Sequence, residues 1–325
     1  TEIATYRVQE KLREGGMAVL YRVVSSADGE PGVLKVPRLE FGNHPACYAG
    51  FEAEQMILGR IAGPHVPGLL ASGESDFGPY LVMEMIDGTS FAEHAGRAPL
   101  PAADVARLGA ILASAIHDLH RQEVVHHDLK PSHVILRTDG EATLIDFGLA
   151  FHGHLPDLVD AESDRPPGTP AYISPEQIKG ARGDPRSDLF SLGVILYLLA
   201  TGRLPFGEPT SVGGLRRRLW FDPPPPRRII SDLPEWLQEI ILHCLEVHPE
   251  ARYATAAQVA HDLTHPAQVT LTARGRRMKR AGPLAVARRW LAALSAPPSA
   301  RTPPSAHLAL APHVLVAVDT SGKDE

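Results

Sequence analysis

Two acidic residues and a lysine in the middle of the chain have the types and the spacing for chemistry on a phosphate group. Asp128 and Lys130 lie in the segment Val124-Val-His-His-Asp-Leu-Lys-Pro-Ser-His-Val-Ile-Leu136, and Asp146-Phe-Gly148 follows ten residues later. Carboxylate oxygens bind Mg²⁺ and a lysine ammonium neutralises phosphate oxygens, so each group needs the opposite charge nearby. The spacing therefore favours a metal–phosphate site over two unrelated polar turns.

Three features nearer the N-terminus would complete such a site. A glycine-containing segment, Leu12-Arg-Glu-Gly-Gly-Met-Ala-Val-Leu-Tyr21, lies between two predicted strands, where backbone N–H groups of a turn can approach phosphate oxygens. Lys35 lies in the next strand and Glu54 in the helix after it, so a buried lysine would have a counter-charge. Taken singly, these features are more typical of a plain hairpin, a strand-edge lysine and a solvated glutamate.

Together, and in this order along the chain, the segments resemble the motifs of the protein kinase family. Four segments carry the resemblance: the glycine-rich loop at 12–21, the strand-lysine motif at 33–36, the catalytic loop at 124–136 and the D-F-G motif at 146–148. Gly15 holds the middle glycine position of the loop and Gly16 follows it. The resemblance covers residues 6 to 265. Within it, several short sequence segments are similar to those of bacterial, eukaryotic-like Ser/Thr kinases.

The resemblance implies a role for each charged residue. Lys35 would hold the α- and β-phosphates of ATP with Glu54 as its partner, and Lys130 would neutralise the γ-phosphate during transfer. Asp128 would accept or orient the proton of the attacking hydroxyl, and Asp146 would bind Mg²⁺. The implied catalytic residues are therefore Asp128 and Lys130, the cofactors are ATP and Mg²⁺, and the partner is a protein substrate.

The resemblance also implies an adenine pocket. Met83 would lie behind the base, and the backbones of Glu84 and Ile86 would form hydrogen bonds with it. The adenine ring would lie between four aliphatic side chains, those of Leu12, Leu20, Val33 and Ile135. The implied nucleotide-binding residues are Leu12, Gly15, Gly16, Leu20, Val33, Lys35, Glu54, Met83, Glu84, Ile86 and Ile135.

Two histidines depart from the family pattern. His133 stands where the family has the asparagine that binds the second Mg²⁺, and imidazole is a poorer ligand for Mg²⁺ than for Mn²⁺. His133 is therefore expected to be a metal ligand that shifts the preference toward Mn²⁺; the alternative is a nucleotide-binding pseudokinase that acts as a signalling scaffold. His127 replaces the arginine that receives an activation-loop phosphate in the family. Since residues 151–167 offer only Ser163 as a hydroxyl, switching by phosphorylation there is not expected.

Other matched positions are structural in the family. Thr169 matches the threonine of the platform on which the substrate lies. Glu176 is expected to pair with Arg252, and Asp188 to bind the backbone of the catalytic loop. His126 matches a core histidine that is not a catalytic base.

The elements that must position these residues change character along the chain. Short β-branched or aromatic runs predict strands at 6–12, 19–25, 32–37 and 80–86, with one helix around 51–61. After Gly88, apolar residues at helical spacing predict a long helix after Pro101, a buried helix at 189–199 and a helix at 236–245. We expect an α+β, bilobal protein kinase fold with a small β-rich N-lobe (6–86), a larger α-helical C-lobe (87–265) and a cleft between them.

The composition changes after the last of these helices. The basic segment 274–280 and the Pro-, Ser- and Ala-rich segment 297–304 predict a linker over 266–311. An apolar run predicts the start of a further domain at 312–325, and Val314–Ser321 resembles the opening strand of a universal stress protein. The alternative for this tail is the end of a disordered linker.

Charge, hydropathy and cysteine content limit the function classes. The net charge of −6 argues against nucleic-acid binding, and the longest apolar run, 189–200, is too short to span a bilayer. Two cysteines without a C-x-x-C pair favour a reducing, cytoplasmic setting. His117 and His120 have the spacing of metal ligands, but core packing explains that helix face. The run Arg216–Arg218 predicts a solvated face, with a docking patch as the alternative.

Overall fold

The computed structural model describes residues 2–15, 18–38, 45–76, 78–161 and 168–280, together with 282, 284, 286, 287 and 289–291. Gly16, one of the implied nucleotide-binding residues, lies outside the described residues. The predicted further domain at 312–325 and the predicted linker beyond residue 291 also lie outside them.

The N-terminal part is one antiparallel sheet with a helix. Its elements are β1 (Glu2–Ile3), β2 (Tyr6–Glu14), β3 (Ala18–Ser25), β4 (Pro31–Pro37), α1 (Pro45–Leu58), β5 (Leu69–Ser75) and β6 (Gly78–Glu84). The six strands lie in the order β1-β2-β3-β4-β6-β5. Because Lys35 pairs with Leu20 on one side and with Leu81 on the other, it lies on a central strand. Strands β1 and β5 were not predicted.

The C-terminal part is mainly helical. Its elements are β7 (Gly88–Ser90), α2 (Phe91–Gly96), α3 (Ala102–Arg121), β8 (Val124–Val125), β9 (Val134–Arg137), β10 (Ala142–Leu144), β11 (Phe151–His152), α4 (Leu158–Ala161), α5 (Pro175–Ile178), α6 (Arg186–Thr201), α7 (Val212–Arg216), α8 (Glu235–Cys244) and α9 (Ala256–Thr264). The predicted helices around α3, α6 and α8 are confirmed.

Two of these helices have ends that the sequence explains. Helix α3 begins directly after Pro101, whose fixed φ suits the entry to a helix. Helix α6 is buried on nearly all sides and ends at Gly202, which adopts a left-handed conformation with φ 67°. Around α6 the main core contains α3, α8 and α9, and it continues into α1 and β6 of the N-lobe; a second, smaller cluster lies within the N-lobe sheet.

Two small sheets position the loops that carry the charged residues. Strands β10, β9 and β7 form one sheet, and β11 pairs with β8 in the other. The segment 126–133 therefore runs between two paired strands, and Asp146 follows directly after the β9–β10 hairpin. The expected α+β arrangement of a β-rich N-lobe and a helical C-lobe is confirmed.

The first part of the predicted linker is packed against α8. The Gln238 side-chain amide donates to the backbone carbonyls of residues 274, 275 and 277, each at 2.9 Å. The Glu239 carboxylate accepts from Thr272 N at 3.0 Å, from Gly275 N at 2.7 Å and from Arg274 Nε at 2.8 Å. Residues 272–277 thus belong to the folded C-lobe, although their basic composition led to the prediction of a linker.

None of the helices in the described part of the chain combines the length and the hydropathy that crossing a membrane requires.

Candidate active site

Lys35 connects the N-lobe helix to the D-F-G segment. Its Nζ donates to Glu54 Oε2 at 2.5 Å and to Asp146 Oδ1 at 2.9 Å. Burial alone would lower the pKa of Lys35, but the two carboxylates outweigh burial and raise the pKa above its ordinary value. Three of the implied site residues, carried by β4, α1 and the loop after β10, therefore meet as a charged cluster.

Helix α1 approaches the D-F-G segment closely. Glu54 Oε1 accepts from the backbone N–H of Phe147 at 3.3 Å, so one carboxylate contacts both the lysine and this segment. A Cβ added at Gly50 would lie 2.8 Å from the carbonyl oxygen of Gly148, closer than real Cβ contacts. The glycine at position 50 is thus what allows α1 to lie here, and no sequence motif predicted this close approach.

Asp128, Lys130 and Thr169 hold one another at the centre of the C-lobe side. Asp128 Oδ1 accepts from the backbone N–H and from the hydroxyl of Thr169, both at 2.7 Å. Lys130 Nζ donates to Asp128 Oδ2 at 3.0 Å and to Thr169 Oγ1 at 2.8 Å. The Asp128 carboxylate is therefore oriented, and the platform threonine is tied to the catalytic loop.

Asp188 on α6 fixes the backbone that precedes Asp128. Its carboxylate accepts from the backbone N–H groups of His126 at 2.8 Å and His127 at 3.0 Å, and lies 2.9 Å from His120 Nε2. Although burial alone would raise its pKa, the hydrogen bond with His120 holds the pKa of Asp188 below its usual range. These contacts stabilise His127 in a left-handed conformation with φ 63°, which a side chain rarely adopts.

His133 presents a nitrogen atom to Asp146. Its Nδ1 lies 3.1 Å from the carbonyl oxygen of Asp128, an acceptor only, so Nδ1 must carry the proton in a hydrogen bond. In the neutral ring, Nε2 then has a lone pair, and it lies 3.3 Å from Asp146 Oδ2. Burial lowers the pKa of His133 to about 4, which keeps the ring neutral near pH 7.

Asp146 Oδ2 and the lone pair of His133 Nε2 therefore face each other without a proton between them. Burial would raise the pKa of Asp146, but Lys35 lowers it well below its usual range, so this carboxylate is charged. A divalent cation between Asp146 and His133 would relieve their repulsion. Among the described residues, no group of three or more His, Cys, Asp or Glu could hold a metal alone, so nucleotide phosphates would have to supply further ligands.

The implied adenine-pocket residues lie around the connection between β6 and β7. Val33 pairs with Met83 across the sheet, and Ile135 pairs with Ser90. Met83 is buried, Leu20, Val33 and Ile135 are half-buried, and Leu12 is 40% exposed. Aliphatic side chains left partly open at the junction of two lobes suit a flat, apolar ring.

Glu84 and Gly15 take part in local backbone contacts. The Glu84 backbone N–H donates to the Gly68 carbonyl at 2.8 Å, and its side chain accepts from Gly68 N at 3.1 Å. The Glu84 carboxylate is thus used to brace the connection that continues to Ile86. Gly15 N donates to the Ala18 carbonyl at 2.9 Å, which closes the turn between β2 and β3.

The predicted pair between Glu176 and Arg252 is present and buried. The two guanidinium nitrogens lie 2.6 and 2.8 Å from the two carboxylate oxygens, and Ser187 Oγ also donates to Glu176 at 2.8 Å. This bidentate pair fastens the end of the activation segment, which we define as residues 146–176, to the C-lobe.

The prediction of a solvated Arg216–Arg218 face is wrong for Arg218. This side chain is 1% exposed and donates to the backbone carbonyls of Ile173 and, at 2.7 Å, Pro170. Its guanidinium also lies 5.2 Å from the centre of the Phe206 ring. Burial lowers the pKa of Arg218 to about 10. Three consecutive arginines do not reveal which one points inward, so the sequence offered no signal.

A further buried arginine, Arg182, contacts the first half of the activation segment. Its Nε lies 2.7 Å from Asp157 Oδ2, and its Nη2 donates to the carbonyls of Leu149 at 3.0 Å and Ala150 at 3.3 Å. Beside it, His127 Nε2 accepts from Gly183 N at 3.4 Å. Burial and the neighbouring Arg182 lower the pKa of His127 to about 3, so its ring is neutral.

Comparison with known proteins adds to this geometry. The protein kinase domain family matches residues 6–264. The serine/threonine-protein kinase PknL of Mycobacterium tuberculosis is 31% identical over 259 residues, which cover 79% of this chain and 64% of PknL. In Myxococcus xanthus, pkn3 is 33% identical over 267 residues (77% of this chain, 48% of pkn3) and Pkn1 is 32% identical over 294 residues (88% and 41%).

The chain thus spans between 41% and 64% of the lengths of these three relatives. The family match extends from the first long strand of the N-lobe to the end of α9, and it includes every residue of the two charged clusters described above. The likeness to bacterial Ser/Thr kinases seen in the motifs is confirmed. The chain belongs to the protein kinase family.

Proposed function

We propose that this chain transfers the γ-phosphate of ATP to serine or threonine hydroxyls of a protein, and that it prefers Mn²⁺ to Mg²⁺. The observation that supports transfer most directly is the Lys35 ammonium bonded to both Glu54 and Asp146. Glu54 is 1% exposed in this cluster, and a buried carboxylate is costly unless an opposite charge pairs with it, as Lys35 does here.

The residues on the C-lobe side have complementary tasks. When bound, the nucleotide and its metal supply the phosphoryl group and neutralise its charge. The Asp128 carboxylate, oriented by Thr169, receives and aligns the acceptor hydroxyl. Lys130 brings a positive charge next to that carboxylate, where charge develops during transfer. The relatives' names, serine/threonine-protein kinases, agree with this class of acceptor.

The proposed metal preference rests on His133. An imidazole nitrogen beside a carboxylate oxygen is a donor set that suits Mn²⁺ better than Mg²⁺, which prefers oxygen ligands. The proton on Nδ1, assigned from the Asp128 carbonyl, leaves Nε2 free to bind a cation. An asparagine here would supply an oxygen instead.

The test is transfer of radiolabelled phosphate to a generic protein substrate in Mg²⁺ or in Mn²⁺. Wild type should be faster in Mn²⁺, and His133→Asn should shift the Mg²⁺-to-Mn²⁺ rate ratio toward Mg²⁺ by about tenfold or more. Asp128→Asn is the control and should abolish transfer. An identical ratio in wild type and His133→Asn would end the metal proposal.

The alternative is a nucleotide-binding pseudokinase, which the histidine at position 133 favours. Both functions predict nucleotide binding, so a binding assay must accompany the transfer assay. Binding without any transfer in either metal would support the pseudokinase. Its scaffold role would then have to reside in surfaces other than the Asp128–Lys130–Thr169 cluster.

Two further predictions concern the setting of the protein. We infer a reducing, cytoplasmic location from the two cysteines; Cys244 is a buried free thiol whose pKa burial raises to about 12, so it is unreactive. The linkage to a universal stress protein-like domain stays a prediction.

A further inference from the structure

We propose that the ion pair between Arg182 and Asp157 positions the first part of the activation segment, residues 146–161, for catalysis without any phosphate on it. This goes beyond the proposed function, because it states the condition under which the site is assembled. The proposal rests on two buried side chains and on the histidine at position 127.

The position that would bind a phosphate lacks a cation. His127 stands directly before Asp128, where the family pattern has an arginine. The ring is 2% exposed, and its Nε2 accepts from the backbone N–H of Gly183. It is therefore used inside the C-lobe, and it offers no charged donors to an anion on the activation segment.

Arg182, the neighbour of Gly183, supplies the missing cation from another element. It lies in the connection between α5 and α6, and its guanidinium contacts Asp157 and the carbonyls of Leu149 and Ala150. The side chains of Arg182 and Asp157 are only 3% and 7% exposed. The Arg182 guanidinium thus binds the activation segment both at residues 149–150 and at Asp157. The Asp157 carboxylate takes the place that a phosphate group would have.

The segment that Arg182 holds borders the site on two sides. Phe151 on β11 pairs with Val125, which leads into the catalytic loop. Helix α4, directly after Asp157, packs against α1, the helix that carries Glu54. Fixing residues 149–157 therefore supports both Asp128 and the Lys35–Glu54 pair. Arg182 touches none of the reacting groups, so it is a positioning residue.

The first experiment measures whether phosphate is needed. The full chain is treated with a phosphatase, shown by mass spectrometry to be free of phosphate, and assayed for initial transfer rates. The rate should stay within about twofold of the untreated protein. A loss of more than tenfold, together with phosphate found between residues 149 and 176 before treatment, would overturn the proposal.

The second experiment removes the ion pair. Arg182→Met and Asp157→Asn should each lower kcat by about tenfold or more, while the KM for ATP changes less than threefold, because the segment and not the nucleotide is displaced. Arg182→Lys should retain an intermediate kcat. Arg121→Met is the matched control, since this arginine on α3 is 67% exposed and should have wild-type kcat.

Hydrogen exchange separates a displaced segment from a misfolded protein. In Arg182→Met, the backbone amides of residues 149–157 should exchange at least about tenfold faster, with those of α3 and α6 unchanged. Wild-type kcat and unchanged exchange in Arg182→Met would refute the proposal. If wild type shows no transfer at all, the proposed function fails, and the exchange result alone decides whether this ion pair holds the segment.

Discussion

Arg218 places a positive charge under the substrate platform. No carboxylate pairs with it among the residues that the structure describes, and its Nε also lacks a hydrogen-bond partner there. Since a tenfold change in proton affinity is about 1.4 kcal/mol, the fall of its pKa from the ordinary value to about 10 corresponds to roughly 3 kcal/mol. Two hydrogen bonds from a charged donor contribute about 3–6 kcal/mol together, so the cost of burying the charge offsets much of their contribution.

Arg218 therefore positions the platform more than it stabilises the fold. Arg218→Met should change the free energy of unfolding by less than about 2 kcal/mol. Because the carbonyls of Pro170 and Ile173 lose their donors, the KM for a protein substrate should rise about fivefold or more, with the KM for ATP unchanged. Urea unfolding and steady-state kinetics measure both effects.

Arg216→Met is the control for this experiment, because Arg216 is exposed in the same run of arginines. If both KM values rise together, or if unfolding becomes easier by more than about 4 kcal/mol, Arg218 has a structural role instead.

At this scale the sequence was informative where chemistry dictates residue type and spacing. Lys35, Asp128, Lys130 and Asp146 could be placed because their types and their order along the chain match the protein kinase motifs. Arg182 could not be placed, since it contacts Asp157 only after the chain has folded across 25 positions. Its acidic partner is an ordinary aspartate in a loop, and nothing in the local pattern distinguishes that aspartate.

Helix α1 depends on a glycine for its position. Gly50 faces the carbonyl of Gly148, and an added Cβ would lie 2.8 Å from that oxygen. Backbone on both sides leaves no flexible side chain that could move aside. A larger residue must therefore shift the helix, and Glu54 with it, away from the D-F-G segment.

Gly50→Ala should lower kcat by about tenfold while the fold is retained, because the Lys35–Glu54 pair is pulled apart. The measurement is kcat together with thermal unfolding. Gly96→Ala on α2 is the matched control, as no atom of the described residues lies within 4 Å of its added Cβ. The control should keep wild-type kcat and gain about 0.4–1 kcal/mol of stability. Equal kcat in the two variants would show that α1 tolerates the methyl group.

Helices whose apolar residues recur at regular helical spacing could be predicted from the sequence. A strand that depends on pairing with a neighbouring strand could not. Helices α3 and α6 carry long apolar patterns of helical period. Strand β5 has few β-branched residues, and only its pairing with β6 makes it a strand. The sequence analysis also did not predict helix α9, although Thr255 and Gln258 form a capping box at its N-terminus.

On the scale of the whole molecule, the folded unit extends past the end of the family match at residue 264. Glu239 is 2% exposed under residues 272–275, and Arg274 also contacts Glu246 at 3.2 Å. The acidic partners of Arg274 lie on α8 and just after it, 28 to 35 positions earlier in the chain, so composition alone predicted a linker where the chain is docked.

A chain that ends at Gln268 should therefore be less stable by about 2–4 kcal/mol, because Gln238 and Glu239 lose their partners. Urea unfolding of the shortened and full chains measures the difference. Glu239→Gln should destabilise the full chain but have little effect in the shortened one, where the charge no longer has a partner. An unchanged unfolding midpoint after shortening would show that the docked segment contributes nothing.

The buried Met83 offers a route to the cellular targets of the proposed kinase. Its side chain, 7% exposed and opposite Val33, closes the space behind the expected position of the base. Met83→Gly would open a hole there, as truncating a buried side chain does. The altered protein would have room for an ATP analogue with a bulky substituent on the adenine amine, which the Met83 side chain would block in the wild type. In a cell extract, the label from such an analogue would mark only proteins modified by this enzyme.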